Sequence, residues 1–121
     1  MKSGQVNPRS IEVPPTEVWF ELRKILRSKQ LRSCPSLRRL LCFLVDEAIA
    51  GRGNRLTEYV IGVQVFKRPA GFDPRLDSRV RVEAFRLRKT LAEYYRQLGR
   101  CDPILVELVP GCYVPSFRYR Q

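Results

Sequence analysis

The sequence predicts a mainly α-helical chain that ends in a small β-hairpin. Apolar residues recur at helical spacing as far as Leu98, and Pro- and Gly-bearing breaks divide that region into separate helices. Beyond Gly99 the character changes to a β-prone run at 104–109, followed by Pro110-Gly111 at the centre of a turn. A chain of 121 residues suits one domain with one modest core.

The elements follow in order. Residues 1–15 are polar, lack periodicity and end in Pro14-Pro15, which reads as a flexible arm. Thr16 is a candidate cap for a first helix running to about Gln30, with Val18, Trp19, Leu22, Ile25, Leu26 and the stem of Lys29 on its apolar stripe. Cys34-Pro35 starts a second helix, because proline is tolerated in a first turn where its missing N–H has no partner to lose. Leu37, Leu40, Leu41, Leu44, Val45, Ala48 and Ile49 form its buried face, and Gly51 ends it in a left-handed conformation. After Gly51-Arg52-Gly53-Asn54, Thr57 caps a short third helix, with Leu56 and Ile61 as a hydrophobic staple. Arg68-Pro69-Ala70-Gly71 ends that helix, and a stiff turn leads to Asp77 or Ser78 as the next cap.

The long helix at about 78–98 carries two messages. Val80, Ala84, Leu87, Leu91, Tyr94, Tyr95 and Leu98 make a core stripe. The opposite side collects Arg79, Arg81, Val82, Phe85, Arg86, Arg88, Lys89 and Arg96, a cationic face with apolar side chains set among the charges. Glu83 and Glu93 offer ion-pair partners along the helix, so part of this face could be ordinary solvated surface. Val82 and Phe85 argue for more, since a major-groove helix uses apolar groups against thymine methyls. In the hairpin, Ile104, Val106 and Leu108 share one side and Tyr113-Val114 begins the return strand, with Pro115 limiting its pairing. Ser116 to Arg120 then reads as a basic, aromatic tail whose Arg118 and Arg120 suit a phosphate backbone or a minor groove.

Charge and composition bound the function. With 23 Lys and Arg against 12 Asp and Glu, the formal net charge is +11, which implies a polyanionic partner, most commonly nucleic acid. No apolar run approaches the ~18 residues of a membrane span, and the N-terminus has no secretory h-region, so a cytoplasmic, nucleoid-associated protein is expected. Cys34, Cys42, Cys101 and Cys112 are scattered without a Cys-x-x-Cys pair and there is no histidine, so neither a metal site nor a cofactor is expected and the cysteines should be thiols. With no histidine, no Gly-rich phosphate loop and no paired carboxylates, the sequence supplies no general base or activated nucleophile, and no catalytic residue is assigned.

The order of short helix, longer loop, basic helix and hairpin, with VRVEAFRLRKTL followed by VELVPGCYVPSF, resembles the winged-helix output domains of OmpR/PhoB-type response regulators. More closely, the chain from about Trp19 onward is similar to the winged-helix domain at the N-terminus of bacterial regulators with TPR-type or TolB-like sensory regions. The resemblance implies a winged helix-turn-helix with additional N-terminal helices: an arm at 1–15 and one domain at 16–121, with a recognition helix at about 78–98 and a wing at about 104–117. Phe85, Arg86, Arg88 and Lys89 would occupy the turns that reach bases and phosphates, and Tyr113 would sit in the wing. The loop 67–76, with Lys67, Arg68, Phe72 and Arg75, would correspond to one that touches RNA polymerase in the response regulators. Two features differ from that pattern. The wing tip Val109-Pro110-Gly111-Cys112 lacks the basic residue common before the glycine, and two helices stand where the response regulators have an N-terminal sheet.

The expected function is therefore a sequence-specific, double-stranded DNA-binding transcriptional regulator, with RNA polymerase or a regulatory protein as a further partner. An RNA-binding or ribosome-associated basic protein is the first alternative, and a protein-interaction module docking through Val82 and Phe85 is the second.

Overall fold

Pro15 opens the first helix in a computed structural model that describes residues 13–121. Helix α1 spans Pro15–Arg27, α2 Pro35–Ile49, α3 Glu58–Phe66 and α4 Arg79–Arg96, with a 3-10 turn at Gly53–Arg55 between α2 and α3. Two antiparallel strands follow, β1 (Ile104–Glu107) and β2 (Ser116–Tyr119), in the register Ile104↔Tyr119 to Glu107↔Ser116. The chain is thus mainly helical with a small C-terminal sheet, as its periodicity predicts. Helix α2 packs on α3 and α4, α3 packs on α4, and α1 covers β1. One core runs through them, with Leu22, Ile25, Leu40, Leu44, Ile61, Val80, Leu87 and Val106 all essentially inaccessible to water.

Several local signals act as the sequence predicts. Thr57 caps α3 by accepting a hydrogen bond from the Val60 N–H at 3.2 Å, and both members of the Leu56 and Ile61 staple are buried. Gly51 takes φ +80°, while the Gly51 and Arg52 N–H groups donate to the Ala48 and Glu47 carbonyls at 3.1 and 2.8 Å. This double closure satisfies carbonyls that would otherwise be orphaned at the end of α2. Gly111 has φ +81° and the Cys112 N–H reaches the Val109 carbonyl at 3.1 Å, so Pro110-Gly111 is a turn of the kind that needs glycine in its third position.

Other expectations need correction. The arm assigned to 1–15 lies outside the described residues up to 12; beyond them, Val13 is buried and Pro15 is the first residue of α1. Thr16 does not cap α1, because the Pro14 carbonyl already receives the Glu17 and Val18 N–H groups at 3.0 and 3.1 Å, which places Thr16 inside the first turn. Helix α1 stops at Arg27 rather than Gln30. There the Ser28 backbone becomes extended and its buried hydroxyl donates to the Ile25 carbonyl at 2.6 Å. Leu98 leaves the core stripe and is 58% exposed, since α4 has ended before it. Gly99 follows α4 for reasons of space: a Cβ there would lie 2.3 Å from the Tyr94 ring.

The hairpin differs most from its sequence reading. Tyr113-Val114 belongs to the connection, and the return strand is Ser116–Tyr119, so the supposed tail is the strand itself. Arg118 grips Glu107 across the strands at 2.9 and 3.2 Å. Arg120 donates to the Asp102 and Gly99 carbonyls at 2.7 and 2.9 Å.

Candidate nucleic-acid interface

Helix α4 begins where Asp77 accepts the Arg79 N–H at 3.0 Å, supplying a side-chain cap that the adjacent Ser78 does not. Its inner stripe of Val80, Ala84, Leu87, Leu91 and Tyr94 is buried, and this fixes which residues face outward. Val82, Phe85, Arg86 and Lys89 fall at i, i+3, i+4 and i+7 on the outward side, and all are exposed. Val82 is 49% and Phe85 59% accessible, values far from those of core residues.

The arginines of α4 are less free than their exposure suggests. Glu83 is buried at 6% exposure and holds Arg79 Nε at 3.1 Å on one oxygen and Arg86 Nη1 at 2.9 Å on the other. The Arg79 guanidinium also lies 4.7 Å from the centre of the Phe66 ring. Arg81 bridges elements, donating from Nη1 to Glu58 of α3 at 2.8 Å and to the Pro74 carbonyl at 2.9 Å. Arg88 reaches the hairpin, where Nη2 donates to the Cys112 carbonyl at 3.1 Å and the guanidinium faces the Tyr113 ring at 5.9 Å. Arg96 pairs with Glu93. Lys89 has no ion pair among the described residues; its ammonium lies 5.5 Å from the centre of the Phe85 ring.

The structure therefore brings together Val82, Phe85, Arg86 and Lys89 on one stripe, with Arg79 and Arg81 nearer the N-terminus of α4. Arg88 and Tyr113 form a separate joint between α4 and the hairpin. Arg118 and Arg120 are held within the hairpin and at the chain following α4, rather than extending freely as a tail. Glu83 pairs along α4 as the sequence predicts, and its burial is the main feature that sequence reasoning missed. Its spacing to Arg79 and Arg86 signals the pairing, but nothing local signals its burial.

The loop between α3 and α4 is braced from within. Lys67 ends α3 in a left-handed conformation, φ +57°, with its side chain exposed. Arg68 pairs with Asp77 at 3.0 Å. Arg75 folds back on Asp73 at 3.0 and 3.2 Å, and this hydrogen bonding holds the Asp73 carboxyl below its usual range. Phe72 is buried rather than offered to a partner, because its ring fills the space over Gly62, where a Cβ would lie only 2.3 Å away. Tyr59 adds a brace from α3, its hydroxyl donating to the Ala70 carbonyl at 2.9 Å.

A buried polar cluster supports α4 from behind. The Tyr95 hydroxyl accepts the Val106 N–H at 2.9 Å, approaches the Ile104 carbonyl at 3.2 Å and lies 2.9 Å from Glu21 Oε2, so it meets polar backbone on the edge of β1 that β2 leaves free. Glu21 itself is 1% exposed, with Lys24 Nζ 3.1 Å from its other oxygen. Burial, and then hydrogen bonding to Asp102, push the Glu21 carboxyl up to about 7. Tyr94 donates to Asp102 at 2.6 Å, closing the cluster.

Among the described residues, no group of three or more His, Cys, Asp or Glu side chains is placed to hold a metal ion, and no helix is long and apolar enough to cross a membrane. No known protein family, no curated protein and no solved structure matches this chain.

Proposed function

We propose that the protein is a sequence-specific, double-stranded DNA-binding transcriptional regulator of the winged helix-turn-helix type. In this reading α3 and α4 are the two motif helices, α4 enters the major groove, and the β1–β2 hairpin is the wing. The observation that carries it is the outward stripe of α4, where Val82, Phe85, Arg86 and Lys89 combine exposed apolar surface with positive charge on a chain of net charge +11. Lys and Arg contacts to phosphates supply most of the affinity, and the side chains at the centre of the stripe read bases. The same apolar residues would also fit a protein partner, and the exposed Lys67, Arg75 and Leu76 of the α3–α4 loop are the surface we assign to RNA polymerase or a regulatory protein.

Selection from a random pool of duplex DNA tests this directly. A shared motif should emerge that binds at least ~10³ tighter than its scrambled version near physiological salt. Lys89→Ala should weaken that binding, lower the salt slope by about 1 and leave thermal melting unchanged. Failure to enrich any duplex, or equal competition by structured RNA, would replace DNA recognition with generic polyanion binding.

A further inference from the structure

We infer that the connection between α1 and α2 is a second DNA-contacting surface, on which Lys29 and Arg32 hold the sugar–phosphate strand that borders the Arg86 side of α4. The inference rests on the DNA-binding reading above and assigns it a phosphate anchor outside both motif helices and the hairpin. Charge points there first. Between Glu21 and Asp46 the sequence has seven Lys and Arg and no carboxylate. Among the described residues only Lys24 of these forms ion pairs, whereas Arg79, Arg81, Arg86 and Arg96 of α4 each have one. Positive charge without a carboxylate partner is thus concentrated at the α1–α2 corner, where like charges repel one another and a polyanion offsets the repulsion.

Position points to the same place. The major groove is about 12 Å wide, so a helix seated in it has a sugar–phosphate strand along each flank. On one flank of the α4 stripe Arg88 meets the hairpin connection at Cys112, but the chain from Leu108 to Phe117 has no Lys or Arg to offer a phosphate. Residues 28–34 border the other flank. There Arg86 Nη2 donates to Cys34 Sγ at 3.7 Å and Gln30 donates to Gln97 Oε1 at 3.2 Å, so the segment runs beside α4 for about three turns. Its backbone is fixed: the Leu31 and Arg32 N–H groups donate to the Ser28 carbonyl at 3.1 and 2.8 Å, the Cys34 N–H reaches the Leu31 carbonyl at 3.0 Å, and the Leu31 side chain is fully buried. Lys29 and Arg32 are exposed on that frame, so a phosphate contact orders two side chains and no backbone.

The test takes the tightest duplex recovered from the random pool and replaces one phosphate at a time by an uncharged methylphosphonate. With the wild-type protein, the positions that weaken binding should include a run on the strand at one edge of the α4 site. The double variant Lys29→Ala, Arg32→Ala should melt normally, lower the salt slope by about 2 and bind the selected and scrambled duplexes more weakly by the same factor, since phosphate contacts carry no sequence information. In that variant methylphosphonates in the run should lose their effect while those elsewhere keep theirs. Arg52→Ala, beyond the far end of α2, also removes a charge and should leave both the slope and the map as in wild type. A wild-type slope in the double variant, an unchanged map of sensitive phosphates, or the same fall per charge with Arg52→Ala would overturn the loop contact and leave DNA binding through α4 standing. If no duplex binds the wild-type protein, the DNA-binding reading falls and the loop contact falls with it.

Discussion

Arg88 of α4 donates from Nη2 to the carbonyl of Cys112 at 3.1 Å, so a guanidinium ties the basic helix to the connection between β1 and β2. Its charge also faces the Tyr113 ring, 5.9 Å away. Arg88→Ala should therefore loosen the hairpin as well as remove a positive charge. A charge-assisted hydrogen bond at a partly exposed site is worth about 1–2 kcal/mol. Urea unfolding should show a loss of that order, and amide exchange should quicken around 109–114. Unchanged exchange in the variant would mean that the bond does not restrain the hairpin.

Glu83 is the second point at which fold and surface meet. Replacing it by glutamine keeps the shape but removes the charge that orients Arg79 and Arg86 from opposite oxygens. Because both arginines are partly exposed, the loss should be about 1–3 kcal/mol rather than the larger cost of breaking a fully buried pair. Released from Glu83, the two arginines should also bind non-specific duplex more tightly, which a competition titration with scrambled DNA would read. A stability equal to wild type would show that the clamp is idle.

Phe72 and Gly62 are matched by shape. Gly62→Ala would place a methyl group 2.3 Å from the Phe72 ring, inside van der Waals contact, and should destabilise by about 1–3 kcal/mol despite the better helix propensity of alanine. In a Phe72→Leu background the same substitution should cost less, because the smaller side chain leaves room. Additive losses in the double variant, measured by thermal melting, would contradict the packing described.

The Glu21 carboxyl makes stability depend on pH. Its folded value, raised by burial from 4.5 to about 7, means that the native state holds a proton that the unfolded chain releases earlier. The contribution is complete below 4.5 and is lost as pH rises through about 7. Asp102 is pushed up by burial, but hydrogen bonds from Glu21 and Tyr94 and the charge of Lys24 outweigh this and its net shift is downward, so the shared proton rests on Glu21. The stability of wild type relative to Glu21→Gln should fall between about pH 5 and 7 and stay level above about 8. A difference that stays flat across this range would place an ionised Glu21 in the fold.

Much of the architecture was legible in the sequence because its signals act over a few residues. The leucine spacing of α2, the Thr57 cap with its Leu56 and Ile61 staple, the left-handed Gly51 and the Pro110-Gly111 turn are each decided by neighbours along the chain. The exposed stripe at Val82, Phe85, Arg86 and Lys89 was legible for the same reason, since the opposite face of α4 carries the core residues.

Neighbours along the chain thus settle the kind and order of the elements and the outward direction of the basic face. Tertiary structure alone decided how those side chains are used. Tyr95 meets Glu21 across 74 positions of sequence, Arg88 meets Cys112 across 24, and Phe72 turns inward only because α3 presents Gly62 to it. The return strand begins at Ser116 because it is the one that pairs with β1. Periodicity and capping are local energies, whereas burying a carboxylate, setting a strand register and engaging an arginine depend on groups that only the folded chain brings within hydrogen-bonding distance.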